Sequence, residues 1–466
     1  MTLTRRTFLT DALAATALGS GLGLPFATRS AQAADTSGYR ALVCVFLFGG
    51  LDNHDTVLPY DSASYNSFAA VRSSLLQAQG ANRARTALLP LTTTDPTQFG
   101  SRQFALPPEL AGIKGLYDQG NAAIIGNVGP LIQPTTRLAF EQESVLLPPR
   151  LFSHNDQQAT WQSSSPEGAV FGWGGRFMDA MIEAGANSRL PFSTITSGGG
   201  ELFLTGSRAR PYQISPAGAA VVELLADAAA LRNEPGGEVF YQQALALLRS
   251  EQYTGSHLLE RDIASSVRGA IDSNALYNQA LASAPSLTTT FPASGLSAQL
   301  RAVAQAISVR SALGANRQVF TVAMGGFDTH SQQATSLPAL LGEIDAAVTA
   351  FYSEMVAQGL ANDVTLFTAS DFGRTLAVNG DGTDHGWGGH HFVVGGSVNG
   401  GAIYGDLPPA TVGHEWDSGG GRLIPTTAVE QMAAPLGRWF GLNATEIAAA
   451  LPNLANFSSA SSLAFI

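Results

Sequence analysis

An α/β fold is what this sequence predicts, and three features predict it. Continuous apolar runs rich in β-formers end in glycine pairs, helical patterns alternate with such runs, and acidic or histidine residues follow the runs directly. The run Ala41 to Phe48 (ALVCVFLF), bounded by Gly49-Gly50, has the pattern of a central parallel strand. Leu110 to Gly120 repeats apolar residues at three and four, closes on a glycine, and leads into a second strand from Ala122 to Val128. In the last third the alternation returns: a helix from Leu300 to Leu313, a strand from Val319 to Met324, a long helix from Leu337 to Gln358 closed by Gly359, and a strand from Val364 to Ala369. Between these halves, Ala219 to Leu231 and Glu238 to Leu248 read as Ala- and Leu-rich helices. More helix follows to about Ala282, and a Ser/Thr/Pro stretch runs from Ser283 to Pro292. This block, about 219–292, interrupts the alternation as a helical insertion or cap. The tail after Asn453 is small and polar apart from its last few residues, and is expected to add little.

The N-terminus carries its own message. Arg5-Arg6-Thr7-Phe8-Leu9 precedes a weakly apolar stretch from Ala12 to Leu24 that Gly19, Gly21 and Gly23 dilute and Pro25 ends, short of the roughly 20 apolar residues of a spanning helix. Ala31-Gln32-Ala33 then supplies small-x-small spacing for a signal peptidase. Residues 1–33 are therefore expected to be a twin-arginine signal peptide and 34–466 a periplasmic or secreted domain with no stable membrane span after cleavage. The chain of 466 residues has a net charge of -11 and its Lys and Arg are dispersed, which excludes a nucleic-acid footprint. A single cysteine, Cys44, excludes an internal disulfide, and its place in the apolar run predicts a buried, structural thiol.

Chemistry concentrates at the ends of the strands, where ligands of open α/β sheets bind. One strand leads through Gly-Gly-Leu to Asp52 and on to Asp55, another through Gly-Gly-Phe to Asp328, and a third through Ser370 to Asp371, with Asp384-His385 following. Seven of the eight histidines lie in these or similar turns: His54, His154, His330, His385, His390, His391 and His414. Carboxylates and imidazoles from separate strand ends are the ligand types of divalent cations. An Asp in that position also caps helices and makes Asx turns. Ser153-His154 supplies a serine beside an imidazole, either a nucleophile or an ordinary helix cap. Arg374 is a candidate to hold an anionic oxygen bidentately. His390 and His391 are adjacent on a strand and so face opposite sides.

Gly49-Gly50-Leu51-Asp52, Ser153-His154 with Gln157 and Trp161, Gly326-Phe327-Asp328-Thr329-His330, and Ser370-Asp371-Phe372-Gly373-Arg374 with Gly382-Thr383-Asp384-His385-Gly386 stand in an order that resembles the bacterial exported family known as domain of unknown function 1501. That family is placed near the alkaline phosphatase and sulfatase superfamily, and the resemblance covers nearly all of 34–466. It implies a three-layer α/β/α sandwich of alkaline phosphatase/sulfatase type. It also implies Asp52 and Asp371 as ligands of one metal position, Asp328, His330 and His385 as ligands of another, and Ser153 as the nucleophile; His154 and Arg374, read from the residues themselves, complete the candidate catalytic set. The sequence departs from the superfamily at Phe372, where a second-metal histidine is usual, in the short Asp328–His330 spacing, and at Asn53-His54-Asp55, where the family more typically has Gly-Leu-Asn. His54 and Asp55 are candidates to replace the lost ligand.

These readings lead to an exported hydrolase of phosphate or sulfate esters that uses a divalent metal (zinc, manganese, calcium or magnesium) on a small-molecule or glycan ester. Two alternatives share the same residues: a non-catalytic binding or assembly protein that recognises anionic glycans or a co-exported protein partner, and a metal-dependent oxidoreductase.

Overall fold

The computed structural model describes residues 33–93, 95, 97–219, 222–249, 257–457 and 463–466. The expected signal peptide, all but Ala33, lies outside the described residues. Numbered in chain order, the strands of the main sheet and of the hairpin beside it are β1 (Arg40–Leu47), β2 (Ala122–Gly129), β3 (Thr194–Thr196), β4 (Tyr212–Ser215), β5 (Gly218–Ala219), β6 (Arg317–Met324), β7 (Val364–Ser370), β8 (Arg374–Asn379), β9 (Gly382–His385), β10 (Gly389–Val394), β11 (Ile403–Gly405) and β12 (Thr427–Ala428), and Leu58–Pro59, Leu89–Pro90 and Phe104–Leu106 form a further small sheet. The main sheet runs β11-β2-β10-β7-β1-β6-β3-β4-β5, with β12 also pairing β2, while β8 and β9 form a separate hairpin. β7, β1, β6, β3 and β4 are mutually parallel. β10 runs antiparallel to both β7 and β2, so the sheet is mixed.

β1 is apolar on both sides because both of its faces are covered. Ala41, Val43, Val45 and Leu47 enter one core, whereas Leu42, Cys44 and Phe46 enter the other. Among the described residues the helices of eight residues or more, again in chain order, are α1 (Ser62–Val71), α2 (Ala111–Asp118), α3 (His154–Ser163), α4 (Trp173–Glu183), α5 (Glu223–Ala230), α6 (Gly237–Arg249), α7 (Leu258–Ala282), α8 (Gly295–Ser308), α9 (Gln333–Ala357) and α10 (Val429–Phe440). Leu300, Val303 and Ile307 of α8, with Leu341, Ile344 and Phe351 of α9, pack on the first face. Phe177, Met178 and Met181 of α4, with Met432, Leu436 and Phe440 of α10, pack on the second. The result is an α/β/α sandwich in three layers. Cys44 is buried and free, and burial pushes its thiol up.

Three features differ from the sequence expectation. α9 begins at Gln333 rather than Leu337, which puts Pro338 inside its second turn. The short strands β3, β4, β10 and β11 carry too few residues for a legible pattern. The tail is not idle: Phe465 is fully buried against the second core, and its carbonyl accepts a 2.8 Å hydrogen bond from the Asn399 N–H. Helix α7 packs beside the edge of the sheet, where Tyr277 meets Tyr212 of β4 at 5.6 Å and Phe192 at 6.2 Å. Among the described residues no helix is long and apolar enough to cross a membrane.

Candidate metal centre

Strands β1, β6 and β7 lie side by side and parallel, so the segments that leave them emerge at one edge. Asp328 leaves β6 and remains open, its side chain 45 % exposed, whereas Asp52 and Asp371 are buried. Three imidazoles turn onto it. His330 Nε2 and His385 Nε2 each lie 3.1 Å from Asp328 Oδ1, and His154 Nε2 lies 3.6 Å from Oδ2. The Nε2 atoms of His330 and His385 are only 2.8 Å apart.

The other ring nitrogens determine what these Nε2 atoms offer. His385 Nδ1 lies 2.8 Å from the Phe152 carbonyl, which can only accept, so the proton sits on Nδ1 and Nε2 carries the lone pair. Burial lowers the pKa of His385, which favours that neutral ring. His154 Nδ1 meets Asp371 Oδ2 at 2.6 Å, and His330 Nδ1 faces Asp384 Oδ1 at 3.4 Å. Carboxylate and carbonyl acceptors behind each ring, with lone pairs converging in front, form the second-shell pattern of metal-binding histidines. Lone pairs at such separations repel unless a proton or cation stands among them. Ligands of a tetrahedral zinc sit about 3.3 Å apart. His154, Asp328 and His385 each place one ligand atom within 4.8 Å of the others. The residues therefore fit one cation.

Asp371 stands behind this group. It is wholly buried, and its Oδ2 accepts from His154, from Gln158 Nε2 at 2.9 Å and from the Gly49 N–H at 3.1 Å. Its Oδ1 is buried with no hydrogen-bond partner among the described residues. The hydrogen bond to Asp371 raises the pKa of His154 despite partial burial. In place of a second-metal histidine, the ring of Phe372 packs 4.9 Å from that of His154 and 4.6 Å from that of His385. Gly50 makes room for it: φ is 94° there, and a Cβ would sit 2.6 Å from the phenyl ring.

Arg374 is fully buried under Asp328 and is not free to grip a substrate. Its Nη1 donates to Asp328 Oδ1 at 2.8 Å and to the Gly49 carbonyl at 3.0 Å, its Nε donates to Thr383 Oγ1 at 3.1 Å, and its Nη2 donates to the Thr383 carbonyl. Burial works to raise the pKa of Asp328, but the Arg374 hydrogen bond and charge, with His330 and His154, outweigh it and hold the carboxyl low.

Asp52 lies apart from the three imidazoles. It caps the single turn Asn53–Thr56 by accepting from the His54 N–H at 3.0 Å, and Arg72 grips it bidentately at 2.6 and 3.1 Å. Gln333 Nε2 donates to its Oδ2 as well. With those contacts the carboxylate has no face left for the cation, so the expected Asp52–Asp371 pair does not form a second ligand set. The two proposed replacements are also engaged. His54 Nε2 pairs with the Gly421 carbonyl at 3.0 Å, and Asp55 is bound to Arg83 at 2.7 Å. Burial brings His54 down to about 4. His390 and His391 are buried on β10, both brought to about 3 by burial, and neither joins the cluster.

Ser153 is the N-cap residue of α3, and its hydroxyl donates to Asp156 Oδ2 at 3.0 Å. The backbone before it is strained: Arg150 (φ 50°) and Phe152 (φ 71°) both occupy the left-handed region without being glycine. Arg72, Gln333, Gln158 and the Phe152 carbonyl escaped the sequence reading. Of these the Phe152 carbonyl and Gln158 lie within or beside the Ser153-His154-Gln157-Trp161 motif that the sequence singled out, whereas Arg72 and Gln333 lie outside every motif.

No curated protein matches the chain. Among solved structures it is similar to the PsFucS1 sulfatase from a Pseudoalteromonas species, with 9% identity over 87% of this chain and 68% of that one and a TM-score of 0.36. It is also similar to the C-terminal periplasmic domain of EcEptC from Escherichia coli in complex with Zn (9% identity, 88% and 85% covered, TM-score 0.33). A third similar structure is the lipoteichoic acid synthase LtaP from Listeria monocytogenes (7% identity, 87% and 72% covered, TM-score 0.30). Likeness this loose carries no argument about chemistry. The family model described as "Protein of unknown function (DUF1501)" matches residues 39–448, and the chain belongs to that family.

Proposed function

We propose that this protein is an exported hydrolase of phosphate or sulfate esters that works with one divalent cation, held by His154, His330, His385 and Asp328. The observation that carries the reading is the set of three imidazoles whose Nε2 atoms face one carboxylate while their Nδ1 atoms are engaged behind them. Three nitrogens and one oxygen favour zinc over calcium or magnesium, which prefer all-oxygen sites. Such a cation polarises an ester oxygen and stabilises charge on it. Arg374 already balances the charge of Asp328, so the loaded centre keeps enough positive charge to attract an anionic ester. Ser153 is the nucleophile we assign. Its proton already lies on a hydrogen bond to Asp156: as Oγ bonds to phosphorus or sulfur the carboxylate takes that proton, the ester P–O or S–O bond breaks and the alcohol leaves with a proton, and water then cleaves the seryl ester to release the inorganic anion and restore the serine. Export by the twin-arginine route, which accepts folded cargo, suits a centre loaded before it leaves the cytoplasm.

Metal analysis of the protein purified through its own export route is expected to find one zinc per chain, with turnover of aryl phosphate or aryl sulfate that Asp328→Ala removes. Absence of bound metal, and of zinc uptake on titration, sinks the centre. Zinc uptake without turnover of either ester sinks the hydrolase and leaves a second reading, a binding protein of the same fold, which Phe372 favours because it fills the place of a second-metal ligand.

A further inference from the structure

We infer that Arg422 is the residue that recognises the anionic group of the substrate, a specificity determinant placed beside the cation centre; the inference rests on the reading of that centre given above. Its guanidinium is anchored on two sides. Nε donates to the His385 carbonyl at 2.7 Å and Nη1 to the Gly419 carbonyl at 3.1 Å, while the group lies over the Phe152 ring at 5.3 Å. Two of these three contacts, His385 and Phe152, belong to the centre itself. His385 supplies a ligand nitrogen, and the Phe152 carbonyl fixes its ring one residue before Ser153. Nη2 has no partner among the described residues, and the side chain is only partly buried. A guanidinium held at Nε and Nη1 with its remaining edge open is preorganised for an oxyanion, since the rotamer entropy of a free arginine is already spent.

The loop that presents Arg422 is built for the purpose of holding one position. Asp417 Oδ1 accepts from the Gly419 and Gly421 N–H groups, both at 2.7 Å, and its Oδ2 accepts from the Gly413 N–H. The Leu376 N–H donates to the Gly421 carbonyl and the Ala377 N–H to that of Gly420, which docks the loop along β8. Gly421 has φ 76°, and a Cβ there would fall 2.3 Å from that of Leu376, so only glycine permits this approach. Arg374, the more obvious candidate, is excluded because its donors are directed to Asp328, Gly49 and Thr383. Among the neighbouring arginines, Arg150 pairs with Asp156 and so is already neutralised.

Binding of inorganic phosphate and inorganic sulfate, measured by calorimetry on the zinc-loaded and the metal-free full chain, tests the assignment. Arg422→Met is expected to weaken binding of the preferred anion at least tenfold, and Arg422→Lys to recover only part of it, because a point charge replaces a bidentate fork. In ester turnover the loss should fall on KM with kcat changed much less, and zinc stoichiometry should stay at the wild-type value. Circular dichroism and zinc content identify any variant that has failed to fold, and Arg422→Lys then serves as the measured variant. Unchanged anion affinity in a folded Arg422 variant overturns the proposal, as does a wild-type chain that binds neither anion in either state. Arg422-dependent anion binding by a chain that takes up no zinc supports the assignment while removing the metal reading, so the two fail separately.

Discussion

Two segments of this molecule begin alike and end differently. β1 and β6 are parallel neighbours, each followed by Gly-Gly, an apolar residue and an aspartate: Gly49-Gly50-Leu51-Asp52 and Gly325-Gly326-Phe327-Asp328. After Asp52 the chain closes at once into a helical turn, and Arg72 from the end of α1 covers the carboxylate, leaving its side chain unexposed. After Asp328 the chain makes tight turns and does not become helical until Gln333, and the carboxylate remains nearly half exposed in front of three imidazoles. The same four-residue pattern has thus become a structural ion pair in one place and a candidate ligand in the other. A motif at a strand end selects a location, and what packs over it selects the chemistry.

The comparison can be broken by experiments ordered by the size of the expected effect. Asp52→Ala leaves a guanidinium buried without its partner and should cost about 3–5 kcal/mol of stability in denaturant unfolding. Zinc affinity of the folded variant should stay within about threefold of wild type, since no ligand is lost. A folded Asp52→Ala protein that no longer binds zinc would merge the two sites into one. Asp328→Ala should act chiefly on the metal, with zinc affinity falling by more than about 100-fold, at least the upper range for outer-sphere partners, while the stability of the metal-free protein falls less than in Asp52→Ala, because the buried Arg374 loses a carboxylate that is itself nearly half exposed. Asp371→Asn keeps the shape of the group behind His154 but weakens its acceptor, so a loss of about tenfold in zinc affinity is expected by competition titration.

The smallest effect is in acid. Burial alone would raise the pKa of Asp52, but the charge and hydrogen bond of Arg72 outweigh it and hold the folded-state value below the usual one. The sign follows: stability from this pair is fully present above the ordinary aspartate value of about 3.9 and is lost as pH falls through the lower folded value. Unfolding free energy measured from pH 6 downward should therefore drop below about pH 4, and in Asp52→Asn that part of the slope should flatten.

The sequence made β1, β2, β6, β7 and the long helices legible because each carries a complete period of its pattern; β1 was expected over 41–48 and lies at Arg40–Leu47. It also pointed to His154, Asp328, His330 and His385, since all four fall in turns after strands or at a helix start. It could not separate Asp52 from Asp328, because the difference lies in Arg72, a residue that follows a small polar helix with no mark of function. Gln333, which donates to Asp52 and accepts from the Thr383 hydroxyl, was hidden in the same way at the start of α9. Buried polar networks of this kind join residues far apart in the chain, and no local pattern announces them.

The position of β1 has a consequence for the order in which the molecule can assemble. Its two partners, β6 and β7, are contributed about 280 and about 320 residues further along the chain. Such non-local pairing delays the reward for loop closure, so folding should be slow by comparison with helical proteins of similar size. Until β6 and β7 arrive, β1 is a very apolar strand with both edges open, a feature that invites association with other chains. Helices α5 to α7 need not wait, because their contacts are largely with one another and they can form early. The centre is then completed late, only after His385 has joined Asp328 and His154, and cation uptake during refolding should lag behind the growth of helical circular dichroism.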